Sequence, residues 1–270
     1  MTHVICESPQ PGILQVRMNR PDRLNALNPS LIQDLITTFT ALQRDRETRV
    51  VILTGVGKGF CAGADLQETV HPGGIPGTDG MGHLGFVYKF QEYLVELMLA
   101  IHECDKPVIA AVNGAAIGGG LGLALASDMR VASSTARFGV GAIKAGLSGA
   151  DMGTSYFLPR LIGAGQAADL MLTGRLLDAD EAMGWRLVSR VVPANELESV
   201  SLNLARSIAE NPPYGVWMTK KTLRSNIDAP SLRHALELEN RTQVLGTFTG
   251  GMQEAMEAFS QGRAPHWKPL

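Results

Sequence analysis

Two buried β-branched runs, Val50 to Thr54 and Pro107 to Val112, each run straight into a glycine-bordered bend, and nothing else in the chain limits its fold as tightly. After the first comes Gly59-Phe60-Cys61-Ala62-Gly63-Ala64-Asp65-Leu66. After the second comes Asn113-Gly114-Ala115-Ala116-Ile117-Gly118-Gly119-Gly120-Leu121-Gly122. Clustered glycine marks places where a backbone turns sharply or approaches another group closely. In the second bend the apolar run Leu121 to Ala126 begins at once, so Gly118 to Gly120 are expected to form the first turn of a helix. First-turn N–H groups have no partner within their own helix, and the helix dipole adds positive potential there. One N–H from each bend, aimed at one point, would make an oxyanion hole. Either bend alone reads first as a tight turn where backbones cross; the pair together is what points to the hole.

Other glycine motifs fail at named positions. A dinucleotide fingerprint counted from Gly118 ends on Leu123, and a phosphate loop ending at Gly57-Lys58 would need glycine at Ile52. Gly146-Leu147-Ser148-Gly149-Ala150 approaches a nucleophile elbow, but its last position is alanine and no clear strand precedes it, so Ser148 reads as a loop serine.

The rest of the chain alternates strand and helix before turning mainly helical. Ile13 to Met18 alternates like a half-buried strand. Asn28-Pro29 is a helix start, followed by Leu31, Ile32, Leu35, Ile36, Phe39 and Leu42 on one face. An amphipathic helix is expected from about Phe86 to Cys104, two short strands between Met129 and Val140, and helices from Asp151 onward. This pattern predicts an α/β core followed by a helical C-terminal region. The stretch His71 to Gly85, rich in glycine and proline, reads either as a disordered insertion or as a lid over a pocket.

A chain of 270 residues buries one sizeable core, and its formal net charge of −2 argues against nucleic-acid binding. Cys6, Cys61 and Cys104 show no metal-ligand spacing and read as thiols of a reducing cytoplasm. The N-terminus has no export signal, and the longest apolar stretch, Gly114 to Ala126, is shorter than the ~20 residues of a membrane span.

Several segments occur in order at suitable spacing: Asn19-Arg20-Pro21-Asp22-Arg23-Leu24-Asn25-Ala26-Leu27, Phe60 to Leu66, and Lys106 to Gly114 continuing through Gly118-Gly119-Gly120. Together they resemble the enoyl-CoA hydratase/isomerase, or crotonase, family, and Leu172 to Arg175 and Gly184 to Val188 extend the resemblance over nearly the whole chain. It implies a crotonase-like ββα spiral core over residues 1–200. It further implies a helical region over 201–270 serving oligomerisation and the coenzyme A pocket, and a homotrimer or dimer of trimers. Ala64 and Gly119 would donate the two N–H groups. Coenzyme A would lie along Arg23, Leu24 and Ala26 and along Ala62, Asp65 and Leu66, with Gly118 also among the substrate-binding residues. Phe259, with Arg263 behind it, would cover the coenzyme of a neighbouring subunit. Arg23 also reads as a solvated charge, and Phe259 as helix core. The substrate would be an acyl-CoA thioester, with no metal or redox cofactor; coenzyme A arrives with the substrate.

The chain departs from the family at the chemistry. The two glutamates with which a hydratase handles water fall on Gly122 and Ala142, neither of which transfers a proton. Asp151 stands in Gly149-Ala150-Asp151-Met152-Gly153-Thr154-Ser155-Tyr156, a segment similar to one in which dienoyl-CoA isomerases carry a proton-exchanging aspartate and a dehalogenase a nucleophilic one. Asp151 is therefore expected to carry the proton transfer, or else to cap the following helix. His83 and His102 are expected to be solvated and structural respectively. A non-catalytic acyl-CoA binding protein is the alternative reading.

Overall fold

The computed structural model describes residues 2–67, 75 and 77–268. A six-stranded sheet carries the core. It contains β1 (Val4–Gln10), β2 (Ile13–Met18), β3 (Val50–Gly55), β4 (Val108–Val112), β6 (Met129–Ser133) and β9 (Arg190–Val192), in the order β1-β2-β3-β4-β6-β9. β1 and β2 form an antiparallel hairpin, and every later pairing in this sheet is parallel. A smaller sheet holds β5 (Ala115–Ile117), β7 (Arg137–Gly139) and β8 (Leu176–Asp178).

The connections wind as a spiral. β4 lies in the large sheet, β5 in the small one, and helix α3 (Gly119–Ala126) follows. β6, β7 and helix α4 (Thr154–Ile162) then repeat the same order. β3 and β4 are buried at every residue, as strands covered on both faces must be. Helix α1 (Pro29–Leu42) lays Leu31, Ile32, Leu35, Ile36, Phe39 and Leu42 into the core, and its N-cap Asn28 accepts the Leu31 N–H at 2.9 Å. Helix α2 (His83–His102) buries Phe86, Phe90, Leu94, Leu97 and Ile101, at helical spacing, against α1.

Three expectations need correction. Helix α2 begins at His83, because the Gly82 cap supplies an extended entry before Phe86. Beyond Asp151 the chain is not helical alone. After α4 and α5 (Ala164–Thr173), β8 precedes α6 (Ala179–Gly184) and β9 follows it; these three-residue strands carry no periodic signal and form through pairing with β7 and β6. A boundary between 200 and 201 would cut helix α7 (Leu197–Ala209), whose Leu197 and Ala205 pack against Val50, Ile52, Ile109 and Val131 of the sheet. After Asn211-Pro212 follow α8 (Pro213–Ile227), α9 (Leu232–Gly246) and α10 (Gly251–Gln261), and α8 is tied to the core by buried Lys220, which pairs with Asp128 at 2.6 Å. Among the described residues no helix is long and apolar enough to cross a membrane.

Candidate active site

The bends after β3 and β4 cross at the carboxyl ends of adjacent parallel strands, where open α/β sheets place their ligands. The first is held by Asn25. Its Oδ1 accepts the Arg20 N–H at 2.8 Å, and its Nδ2 donates to Gly59 O at 2.8 Å and Val56 O at 3.0 Å. Leu24 and Asn25 are left-handed, with φ of 48° and 56°. This turn lays 24–27 alongside 62–65: Ala62 N–H donates to Leu24 O at 3.0 Å, Leu27 N–H to Gly63 O at 2.7 Å, and Asp65 N–H to Leu27 O at 2.9 Å. The two stretches expected to line coenzyme A are thus one short parallel pair. In such a pair only alternate residues face the partner strand, so the N–H of Ala64 points off its outer edge.

The second bend binds the first through Cys61, whose N–H donates to Ala115 O at 2.9 Å and whose O accepts the Ile117 N–H at 3.0 Å. The fit leaves no room for side chains. A Cβ on Gly120 would stand 1.9 Å from Cys61 O, and one on Gly63 would stand 2.8 Å from Ile117 O and 3.4 Å from the Gly119 nitrogen. Gly118 takes φ 52° and ψ −117°, donates to Gly139 O at 2.9 Å and starts α3 at Gly119. Neither the Ala64 N–H nor the Gly119 N–H meets an acceptor among the described residues.

The position of the missing glutamate is filled. A Cβ on Gly122 would lie 2.8 Å from Met152 Cβ, 3.0 Å from Met152 O and 3.4 Å from Met98 Sδ, and one on Gly119 would lie 2.9 Å from Met152 Sδ. Met152 is buried, and its backbone is left-handed at φ 43°. Asp151, beside it, is half-buried, and burial pushes its carboxyl above the usual carboxylate range. Its Oδ1 accepts the Met152 N–H at 2.9 Å, while helix α4 is capped by Gly153 and starts at Thr154. Asp151 is therefore not that helix's side-chain cap. Ala142 sits in a 3-10 turn, Gly141–Ala145, and offers no proton-transfer group.

The remaining candidates are placed as follows. The Asp65 carboxylate is buried, and Arg20 donates to it from both Nη atoms at 3.0 Å, so its side chain is engaged within the fold. Arg23 is exposed and donates to Gln67 at 2.7 Å; Leu24 and Leu66 are exposed, and Ala26 is buried. Phe259 is 89% exposed, which excludes helix core, and Arg263 pairs with Glu254 at 2.6 Å. Ser148 is exposed, accepts the Ala150 N–H and follows a 3-10 turn instead of a strand, so no nucleophile elbow forms. Burial pushes the Cys61 thiol up to about 12, which keeps it neutral. His83 is exposed. His102 packs edge-on against Phe157 at 5.2 Å and is lowered by burial and by Arg224. Of the stretch His71 to Gly85, read as an insertion or a lid, His71 to Gly74 and Pro76 lie outside the described residues.

Sequence reasoning missed Arg20, Asn25 and Met152. The asparagine sits in a quoted motif, but its left-handed backbone is visible only in the fold; Met152 meets Gly122 across thirty residues, which no local pattern announces. A cleft of about 440 Å³ also exists among Gly12, Arg49, Pro107, Trp217 and Trp267. Gly12, Arg49 and Pro107 immediately precede β2, β3 and β4, so the cleft lies at the opposite end of the sheet from the crossing bends. Among the described residues no three His, Cys, Asp or Glu side chains converge as a metal site.

A spiral of this kind with crossed glycine bends defines the crotonase fold of acyl-CoA enzymes, and known proteins make the assignment specific. The family model described as enoyl-CoA hydratase/isomerase matches residues 8–269. A probable enoyl-CoA hydratase of Mycobacterium tuberculosis is 40% identical over 263 residues, covering 97% of this chain and 91% of that protein. The 1,2-epoxyphenylacetyl-CoA isomerase of Escherichia coli is 34% identical, covering 99% of each chain. The crystal structure of a probable enoyl-CoA hydratase/isomerase from Mycobacterium abscessus superimposes with a TM-score of 0.92 at 38% identity, covering 99% of each chain. The chain belongs to the enoyl-CoA hydratase/isomerase family.

Proposed function

We propose that this enzyme moves a proton between carbons of an acyl-CoA thioester, an isomerase-type reaction, with the thioester oxygen held by the N–H groups of Ala64 and Gly119. The observation that carries the proposal is the pair of unengaged N–H groups on two main chains locked together through Cys61 and Gly120. Fixed donors of this kind stabilise charge as it develops on the oxygen, and losing one typically costs ~3–4 kcal/mol of barrier. Asp151 removes a proton from an acyl carbon, leaving an enolate on the held oxygen, and returns it to another carbon as the double bond shifts. No atom is gained or lost. Its raised pKa suits it to both halves of that exchange. Hydration would need a second group to handle water, and the face of α3 where one would stand is closed by Met152. The Escherichia coli relative named an isomerase supports this direction. Coenzyme A enters with the substrate along 23–26 and 62–66, and no metal or redox cofactor takes part.

The working unit is a homotrimer or a dimer of trimers, in which Phe259 reaches the coenzyme of a neighbour. The test is a panel of saturated, enoyl, dienoyl and aryl CoA esters, with binding and turnover followed for wild type and Asp151→Asn. Loss of turnover by ~100-fold or more with binding retained is expected. Binding without turnover in both proteins would instead make this a non-catalytic acyl-CoA protein, which the absence of side chains at Gly122 and of a proton carrier at Ala142 favours.

A further inference from the structure

We infer that Met152 is a specificity-determining residue that restricts this site to acyl groups unbranched at C2; the inference rests on the acyl-CoA reading above and adds the substrate class to it. An oxygen accepting from the Gly119 N–H stands about 3 Å from that nitrogen. C1 and C2 of the acyl group then lie within van der Waals reach of whatever covers Gly119. Two side chains do so: Leu27 Cδ1 and Met152 Sδ each stand 2.9 Å from the place of a Cβ on Gly119.

The two are not equivalent. Leu27 is fully buried, and its main chain is fixed on both sides by Gly63 and Asp65, so it belongs to the framework. Met152 comes from the loop between the 3-10 turn at Gly141–Ala145 and α4, and carries the proposed proton carrier as its neighbour. Four features keep it over α3. Its N–H is held by Asp151 Oδ1 at 2.9 Å, and its φ of 43° is one that only a constrained loop imposes on a long side chain. Gly122, without a Cβ, lets the Met152 main chain come down onto the helix, and Met98 packs behind: its Sδ and Cε lie 3.4 and 3.3 Å from the Cβ places of Gly122 and Gly153. The thioether is thus a wall at C2, backed by a second thioether and unable to swing towards α2.

A wall of this kind discriminates on size. One methyl group too many in an apolar pocket typically costs ~10–200-fold. The experiment measures dissociation constants of butyryl-CoA and 2-methylbutyryl-CoA by calorimetry, so that no turnover is needed, for wild type, Met152→Ala, Met152→Gly and Met152→Leu. Wild type is expected to prefer the straight chain by at least ~10-fold. Met152→Ala should cut that preference by ~10-fold or more, and so should Met152→Gly, whose backbone accepts φ 43° without strain. Met152→Leu rebuilds the wall at similar volume and should hold the ratio within ~3-fold of wild type. Equal affinity of wild type for both esters, or an unchanged ratio in Ala and Gly variants that still bind butyryl-CoA, overturns the inference and leaves the acyl-CoA reading intact. Failure of wild type to bind either ester overturns both.

Discussion

Asn25 shows how much of the site rests on one side chain. It is fully buried, holds a left-handed φ, and makes three hydrogen bonds that tie the turn at 24–25 to the bend after β3. Alanine would keep the strained backbone and leave the Val56 and Gly59 carbonyls and the Arg20 N–H short of a partner. Each such loss costs ~1–3 kcal/mol. Asn25→Ala is expected to lose ~2–4 kcal/mol in urea unfolding, with Asn25→Gly losing less because glycine relieves the φ. Asp151 poses the opposite case. Its carboxyl is raised by burial, so the folded protein holds that proton more tightly than the unfolded chain does. The stability tied to the group is therefore full at low pH and is lost as pH rises through the folded-state pKa. Asp151→Asn keeps an acceptor for the Met152 N–H and removes the buried charge. Its melting temperature should exceed that of wild type at pH 7, and the gap should close as pH falls towards 4. A gap that widens in acid would show that the carboxylate is stabilised by its surroundings.

At the scale of elements, the crossing of the two bends sets the demands on glycine. A Cβ on Gly120 would sit inside the Cys61 carbonyl, which itself accepts the Ile117 N–H, so nothing can give except the crossing. Gly120→Ala is expected to cost at least ~1–3 kcal/mol and to abolish affinity for CoA esters. Gly165, near the start of α5, meets nothing within 4 Å, and Gly165→Ala should stabilise by ~0.4–1 kcal/mol. Paired thermal melts of the two variants check both signs. The same crossing explains what could be read beforehand. β3, β4, α1 and the glycine start of α3 declare themselves in local pattern, because each is long or carries its own cap. β8 and β9 do not: three residues hold no period, and only their partners make them strands. The site divides in the same way. Main-chain donors follow from where glycines border strands, whereas the burial of Asp65 against Arg20 and the closure of Gly122 by Met152 are long-range contacts that leave no trace in neighbouring residues.

The molecule as a whole is lopsided, and the lopsidedness bears on its assembly. Helices α1 to α7 wrap a core with dozens of buried apolar side chains, yet α9 buries no residue and α10 only Ala258. On or beside these helices Val244, Leu245, Phe248, Met252, Met256 and Phe259 are all more than half exposed. An isolated helix of ~15 residues is marginal in water unless it packs an apolar face, so a lone copy gives α9 little reason to persist. Covering that face with other copies supplies the reason, and it also brings Phe259 to a neighbour's substrate in the proposed trimer. Sedimentation equilibrium should therefore give three or six times 28.9 kDa. The double variant Leu245→Asp, Phe248→Asp should sediment as a single chain, lose helical ellipticity, and become open to proteolysis near Asn211 while the residues before it resist. If the proposed trimer holds, turnover of wild type should fall on dilution below the assembly's dissociation constant, since a separated chain would lack the partner's phenylalanine over its coenzyme. A wild-type monomer whose C-terminal helices resist protease would mean that these helices are stable uncovered, and the link between assembly and catalysis would fail with it.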